Sequence, residues 1–266
     1  LSPTLFNMYL EEIVKRGLLN EDGISVGGRR VKCIRFADDM ALLAESETKI
    51  NEMLENLSLS CEEYGMKINV KKTKAMVIGT KGTRVDVKIG REKVEQVTSF
   101  RYLGCIINEN MKCEQEIKRR IGIAKEAFRK KKHVFCGSLS KELRKRLIKC
   151  FVWSIVLYGA ETWTLRKSDQ KRLEAFEMWV WRRMEKVSWV ERKSNDEVLA
   201  KVGERKTVLN IIRKRKRNWL GHWLRRNCIL RDVIEGMVEG KRGRGRRRFQ
   251  LIDDIKEDNS YLKTKK

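Results

Sequence analysis

Two adjacent aspartates, Asp38 and Asp39, lie between two short apolar runs of the chain. Burying an unpaired carboxylate is costly, so a pair of carboxylates in apolar surroundings needs a cation to offset the penalty. Carboxylate oxygens are hard ligands that select Mg²⁺ or Mn²⁺ over zinc and leave coordination positions open for substrate phosphates. The residue types therefore indicate phosphoryl or nucleotidyl transfer. The alternative is a plain turn, in which aspartate is common.

The apolar runs, residues 30–36 and 40–44, predict two strands with a tight connection between them. Neighbouring side chains of a strand point to opposite faces, so consecutive aspartates can approach one site only where the backbone turns. The predicted hairpin tip provides that turn. We expect Asp38 to be the more direct metal ligand, with Asp39 supporting it or holding a second ion.

The elements around this hairpin predict an α+β domain. Helical spacing and capping residues predict helices over about 2–16 and 47–64. Further strands are predicted at 67–70, 75–79 and 100–107, with a hairpin at 85–94. A helix–strand–strand–helix–strand order of this kind is typical of an antiparallel sheet with packed helices.

The net charge of +25 is concentrated in the second half of the chain. Residues 1–110 carry 17 Lys and Arg against 16 Asp and Glu, whereas residues 111–266 carry 44 against 20. Such an excess favours a polyanion, most commonly nucleic acid, with an anionic membrane surface as the alternative. No stretch resembles a spanning helix. Long basic helices are predicted at 112–135, 140–157, 169–188, 194–202 and 207–226.

Two groups of cations are candidates for contacts with phosphate. The first precedes Trp219 and Trp223, which suit either base stacking or the buried stripe of an amphipathic helix; we favour the buried stripe. The second is interleaved with glycines, which predicts a flexible segment that could equally be a nuclear-import signal. The candidate residues are Arg213, Lys214, Arg215, Lys216, Arg217, Lys241, Arg242, Arg244, Arg246, Arg247 and Arg248.

Four segments in this order resemble motifs of reverse transcriptases. The segment 36–39 resembles the family's aspartate box, and residues 1–7 resemble the end of the motif that precedes it. Residues 65–74 resemble the motif that follows, and residues 100–104 the primer-grip motif. The resemblance is greatest to the non-LTR, or LINE-type, retrotransposon group and extends over residues 1–108.

This resemblance implies roles for individual residues. Asp38 and Asp39 match catalytic metal-binding positions, with Mg²⁺ or Mn²⁺ as cofactor. Lys72 matches the lysine near the incoming nucleotide, where a cation stabilises charge on the leaving pyrophosphate. The residues that match the turn supporting the primer end are Phe100, Tyr102, Leu103 and Gly104. By pattern alone, Lys72 suits a solvated turn, and Tyr102 and Leu103 suit the core.

The implied architecture is α+β, with a partial antiparallel polymerase palm sheet and packed helices followed by a mostly α-helical basic region. Its predicted divisions are a palm remainder at 1–108, a helical thumb-like region at 109–190 and a basic helical extension at 191–266. The implied partners are an RNA template, a DNA primer and deoxynucleoside triphosphates, with no membrane. The implied location is nuclear, with a cytoplasmic ribonucleoprotein stage.

In this family the first catalytic aspartate and a Gln-Gly element lie upstream of the segment that matches Leu1. Neither Asp22, in a polar loop, nor Asp86, beside basic neighbours, is a convincing third acid. We therefore expect an RNA-directed DNA polymerase fragment that does not perform two-metal nucleotidyl transfer alone. One alternative is a non-catalytic nucleic-acid-binding protein derived from such an element. A second is a metal-dependent nuclease that uses the same acidic pair.

Overall fold

A computed structural model describes residues 2–19, 23–79, 82–205, 207–236 and 250–253 of the 266-residue chain. The fold is α+β, as predicted, with mostly helical structure and short paired strands. The described residues form two compact units. One contains residues from 2–111 and 228–236, and the other contains residues from 112–227 and 250–253.

The first unit begins with a helix and continues through short strands on either side of a second helix. Its elements up to residue 111 are α1 (Ser2–Gly17), β1 (Ile24–Val26), β2 (Arg29–Val31), β3 (Cys33–Phe36), β4 (Asp39–Leu42), α2 (Glu47–Glu63), β5 (Lys74–Ala75), β6 (Lys88–Ile89), β7 (Glu92–Lys93), β8 (Glu95–Gln96), β9 (Ser99–Tyr102) and β10 (Cys105–Asn108).

The described strands pair two by two and do not build the single antiparallel sheet that the sequence predicts. Four pairs are antiparallel hairpins, and the fifth, β5 with β8, is parallel. The predicted strand at 67–70 lies in a loop, because Asn69 accepts hydrogen bonds from the backbone N–H groups of Lys72 and Thr73 and so forms a turn. The predicted single strand at 100–107 is the hairpin β9–β10.

Helices α1 and α2 pack closely and form the base for the β3–β4 hairpin. A Cβ atom on Gly17 would lie 3.0 Å from the Cα atom of Leu57, so glycine permits this close approach. The Ser60 hydroxyl donates to the Ile13 carbonyl at 3.0 Å. Lys32, just before β3, donates to the Leu18 carbonyl at 2.6 Å, which satisfies a carbonyl beyond the end of α1. The hairpin is thereby tied to the helical layer.

The second unit is helical throughout its described part. Its elements are α3 (Glu114–Lys130), α4 (Lys132–Phe135), α5 (Lys141–Ile148), a π-helical segment (Lys149–Trp153), α6 (Ser154–Val156), a 3₁₀ turn (Ala160–Thr162), α7 (Lys167–Met184), a 3₁₀ turn (Trp189–Glu191), α8 (Asn195–Val202) and α9 (Val208–Leu224). Helix α10 (Ile229–Glu235) belongs to the first unit. These elements follow the five predicted helices, with interruptions after residues 130 and 148.

One hydrophobic cluster forms the core of the second unit. It extends from Ile117 on α3 to Ile212 on α9 and includes Val198, so it continues across residue 190, where the sequence predicts a division between two regions. Trp153 and Trp181 pack edge to face at its centre, with ring centroids 5.3 Å apart. Within the described residues, no helix is both long enough and apolar enough to cross a membrane.

Candidate active site

The two aspartates occupy the tip of the β3–β4 hairpin. Phe36 pairs with Asp39, so Ala37 and Asp38 form a two-residue turn between the strands. Both aspartates are exposed, and neither carboxylate forms a hydrogen bond or ion pair with another described residue. The predicted hairpin is therefore present, and both side chains are accessible to a ligand from solvent.

The turn is held in a conformation that its sequence does not favour. Ala37 has a φ of 53°, in the left-handed region that glycine adopts at no steric cost. Leu103, the first turn residue of the β9–β10 hairpin, has a φ of 46°. Backbone strain of this kind persists where surrounding structure imposes it and is common at functional sites.

Replacing Ala37 by glycine is expected to raise the free energy of unfolding by about 0.5–1 kcal/mol, because glycine removes the steric penalty of the positive φ. Urea unfolding of the two proteins measures the difference. Ala41→Gly, in strand β4 of the same hairpin, is the matched control and is expected to lower stability. Equal losses in both variants would contradict this account of the turn.

The hairpin that contains the predicted primer-grip residues lies beside the aspartate hairpin. The Tyr102 hydroxyl donates to the Ile34 carbonyl of β3 at 3.4 Å. Burial raises the pKa of Tyr102, and the negative charge of Asp39 raises it further. The structure thus brings Tyr102 close to the acidic pair, while Phe100 lies on the same strand and is 37% exposed.

The described residues provide two carboxylates at this tip and no third. They contain no group of three His, Cys, Asp or Glu side chains placed to hold a metal ion. Asp86 is paired with Lys88 at 2.8 Å and with Lys93 at 2.7 Å, and these ammonium groups lower its pKa to about 2. Two carboxylate ligands suit Mg²⁺, which is usually held by one or two carboxylates together with waters and substrate phosphates. Asp22 lies outside the described residues.

Lys72 lies in the turn formed by Asn69, where its backbone N–H donates to the Asn69 side chain at 3.1 Å. Its side chain is exposed and makes no hydrogen bond or ion pair with Asp38 or Asp39. The structure therefore leaves Lys72 in a solvated turn, free to meet a ligand phosphate but not joined to the acidic pair.

The predicted cationic run on α9 is divided between solvent and core. Lys214, Arg215 and Arg217 are exposed, and Arg213 is half-buried. Lys216 is only 1% exposed, because it occupies the buried position between Ile212 and Leu220 at helical spacing. This burial does not favour the predicted contact of Lys216 with phosphate. Five consecutive residues of a helix cannot share one face.

Other predictions for the basic half have mixed outcomes. Trp219 and Trp223 on α9 are half-buried. Their burial is intermediate between the two alternatives, a buried stripe of the helix and an exposed surface for base stacking. The second group of candidate cations lies outside the described residues; it consists of Lys241, Arg242, Arg244, Arg246, Arg247 and Arg248.

Sequence reasoning missed two features of the molecule. The dipeptide Leu103-Gly104 is a turn signal that divides the predicted strand at 100–107. Four consecutive exposed cations, residues 129–132, lie where α3 ends and α4 begins. The run of charge was the sequence signal for a surface that could bind phosphate.

Comparison with known proteins finds a family that residues 1–107 of the first unit resemble. Residues 1–107 match the family described as reverse transcriptase (RNA-dependent DNA polymerase). A transposon-derived protein of Caenorhabditis elegans is 29% identical over 207 residues, which cover 76% of this chain and 74% of that protein. No solved structure matches the chain significantly.

Two longer relatives come from Nasonia vitripennis. The retrovirus-related Pol polyprotein from the type-1 retrotransposable element R2 is 25% identical over 186 residues, which cover 64% of this chain and 17% of the polyprotein. A corresponding polyprotein from an R1 element is 32% identical over 101 residues, which cover 33% of this chain and 25% of the polyprotein. The matches thus span a quarter or less of either polyprotein. Residues 1–107 are thus similar to the reverse transcriptase family, and the predicted resemblance to the non-LTR retrotransposon group is confirmed.

Proposed function

We propose that this chain is part of an RNA-directed DNA polymerase of a non-LTR retrotransposon, which adds nucleotides to the 3′ end of a primer. The observation that carries the proposal is the exposed Asp38–Asp39 pair at a hairpin tip, beside the hairpin that contains Tyr102. Its proposed substrates are an RNA template, a DNA primer and deoxynucleoside triphosphates. Its proposed location is the nucleus, with a cytoplasmic ribonucleoprotein stage.

The acidic pair would hold Mg²⁺ or Mn²⁺, with Asp38 as the more direct ligand. A bound divalent ion supplies positive charge for a nucleotide triphosphate and for the primer 3′ hydroxyl. The two-residue turn places both carboxylates at the exposed tip of the hairpin, and Lys32, at the base of the hairpin, donates to the Leu18 carbonyl just beyond α1. Lys72 adds a cation that suits the triphosphate, and the β9–β10 hairpin is the surface proposed to support the primer end.

We propose that the chain alone does not extend a primer. A two-metal displacement needs a carboxylate beyond the acidic pair, and the described residues hold no third acid at the tip. The chain would then bind substrates at an incomplete catalytic centre.

Two other functions use subsets of the same features. A nucleic-acid-binding protein derived from a retrotransposon would use the cations of the second unit and need no metal. A metal-dependent nuclease would use the acidic pair to cleave a strand and would not lengthen it.

An RNA template annealed to a fluorescent DNA primer distinguishes these functions. We expect Mg²⁺ together with the next correct deoxynucleotide to tighten binding of this duplex to the chain, and we expect Asp38→Asn to abolish that tightening. Fluorescence anisotropy measures the binding, and a denaturing gel of the same mixtures reports the primer length. The matched control is Asp86→Asn, because the Asp86 carboxylate is already paired with two lysines.

Each alternative predicts a different result in this assay. If the affinity for the duplex is the same with and without Mg²⁺ and in Asp38→Asn, and falls as the salt concentration rises, the result would favour the nucleic-acid-binding protein. A primer shortened in the presence of Mg²⁺ would favour the nuclease. A primer lengthened by the chain, with loss of extension in Asp38→Asn, would overturn the claim that the centre is incomplete.

A further inference from the structure

The second unit carries two exposed aromatic rings that the proposed polymerase centre does not use. Phe151, in the π-helical segment, is 45% exposed, and Tyr158, beyond α6, is 48% exposed. Large aromatic rings normally bury most of their surface, so two half-exposed rings within the segment 149–158 are candidates for contact with a ligand.

Each ring is covered on one side by a cation, one from α3 and the other from the residue that directly follows α3. The Lys131 ammonium, at the end of that helix, lies 4.8 Å from the centroid of the Phe151 ring. The Arg120 guanidinium lies 4.2 Å from the centroid of the Tyr158 ring and is held by Glu116 at 2.6 Å. Because Arg120 lies on α3 and Lys131 directly follows its last residue, both rings lie along the line where α3 and its C-terminal end pack against the segment 149–158. We call this surface the aromatic seam.

The spacing of the two rings suits bases of one strand that lie a few nucleotides apart. Tyr158 follows Phe151 by seven positions, which would correspond to roughly 10 Å in an α-helix, at about 1.5 Å per residue. Stacked bases of one strand are about 3.4 Å apart, so the two rings could contact bases about three steps apart. The π-helical segment, a rare geometry often found at functional sites, presents Phe151.

The charge around the aromatic seam is strongly positive. Residues 112–227 carry 33 Lys and Arg against 13 Asp and Glu. The exposed cations of residues 129–132 include Lys131, which lies over the Phe151 ring. The phosphates beside a base stacked on Phe151 would therefore lie near ammonium and guanidinium groups. Aromatic faces interleaved with cations are the usual way to grip single-stranded nucleic acid without reading its sequence.

We propose that the aromatic seam binds single-stranded nucleic acid, with one base stacked on Phe151 and another on Tyr158. This inference rests on the proposed function, because a reverse transcriptase handles unpaired template, and it adds a binding surface formed by residues of the second unit. The shared chemistry is an unpaired base with its phosphate, which RNA and DNA both supply.

Binding of fluorescent 12-mers of oligo(rU) and oligo(dT) tests the aromatic seam by anisotropy. Stacking is worth roughly fivefold or more in affinity for each base, so we expect Phe151→Leu and Tyr158→Leu each to weaken binding at least fivefold. Phe151→Trp keeps an aromatic face and is expected to bind like the unmodified chain. Leu143→Ala is the matched control, since Leu143 is 42% exposed on α5.

The salt dependence separates stacking from charge. The leucine variants should keep the slope of log affinity against log salt, whereas Lys131→Gln should reduce the slope by about one. A 12-base-pair duplex exposes free base faces only at its two ends, so its affinity should be unchanged in the leucine variants. If the leucine variants lose affinity for only one of the two oligonucleotides, the seam binds that type of strand, RNA or DNA.

Alkylation of the unmodified chain provides a second measurement. Cys150 is exposed beside Phe151, and bound oligo(dT) should slow its reaction with a maleimide. The proposed seam would be overturned if oligo(dT) left the alkylation of Cys150 unchanged, or if both leucine variants kept their affinity for single strands. It would also be overturned if those variants lost as much affinity for the duplex as for the single strands. The proposed function would survive those results, because template–primer binding that depends on Asp38 tests it separately.

Discussion

Replacing Glu177 by alanine is expected to lower the free energy of unfolding of the second unit by about 3–5 kcal/mol. Glu177 lies on α7 and is only 1% exposed. One carboxylate oxygen accepts hydrogen bonds from the backbone N–H and the hydroxyl of Thr207, both at 2.8 Å, and the other accepts from the N–H of Val208 at 3.2 Å. Alanine would leave three donors without this acceptor.

The size of this effect follows from the position of the carboxylate. Val208 is the first residue of α9, so Glu177 satisfies backbone donors that the helix itself cannot and places negative charge at the positive end of the helix. Urea denaturation followed by tryptophan fluorescence measures the loss. Glu174→Ala, on the same helix, is the matched control, because Glu174 makes no hydrogen bond or ion pair with a described residue. We expect it to change stability by about 0.5 kcal/mol or less.

A loss below about 1 kcal/mol in Glu177→Ala would contradict this account. It would mean that water replaces the carboxylate at the start of α9. The aromatic seam lies on α3 and the segment 149–158, so the chemistry proposed there does not depend on the outcome.

Much of the local structure could be predicted because it rests on short-range patterns. The apolar runs around the aspartates specified the β3–β4 hairpin, and the amphipathic spacing of residues 47–63 specified α2. Long basic helices were predicted from the same periodicity. Motifs that match a known family added the expected chemistry, which periodicity cannot supply.

The parts that could not be predicted depend on contacts between distant residues. In the sequence, Lys216 is one of five consecutive cations at 213–217. Only the packing of α9 shows that it occupies a core position between Ile212 and Leu220. The parallel pairing of β5 with β8 joins residues about twenty positions apart. The π-helical turn at Phe151 has no recognised sequence signal.

The two candidate sites differ in how visible they were in the sequence. An acidic pair in an apolar run is unusual enough to stand out, so the aspartate hairpin was found directly. The aromatic seam joins Arg120 on α3 and Lys131 at its C-terminal end to two rings some twenty to forty residues further along the chain. Only the packing of the two segments brings them together.

Replacing both aspartates by asparagine is expected to abolish binding of a divalent ion at the hairpin tip. Asparagine keeps the size and the turn-forming ability of each side chain but removes both negative charges, which supply the main attraction for a hard cation. The exposed carboxylates of Asp38 and Asp39 have no competing ion pair among the described residues, so the site is available to the ion. Asp86→Asn is the matched control, since Lys88 and Lys93 already neutralise that carboxylate.

Paramagnetic broadening by Mn²⁺, observed in the amide resonances of the labelled chain, tests this claim most directly. The account predicts that small additions of Mn²⁺ selectively broaden the signals of residues 36–40 and of Tyr102, which lies beside Asp39. The Asp86→Asn variant should behave in the same way, and the double variant of Asp38 and Asp39 should show no selective broadening. Absence of selective broadening in the unmodified chain, or equal broadening in the double variant, would contradict a metal site at the aspartate hairpin.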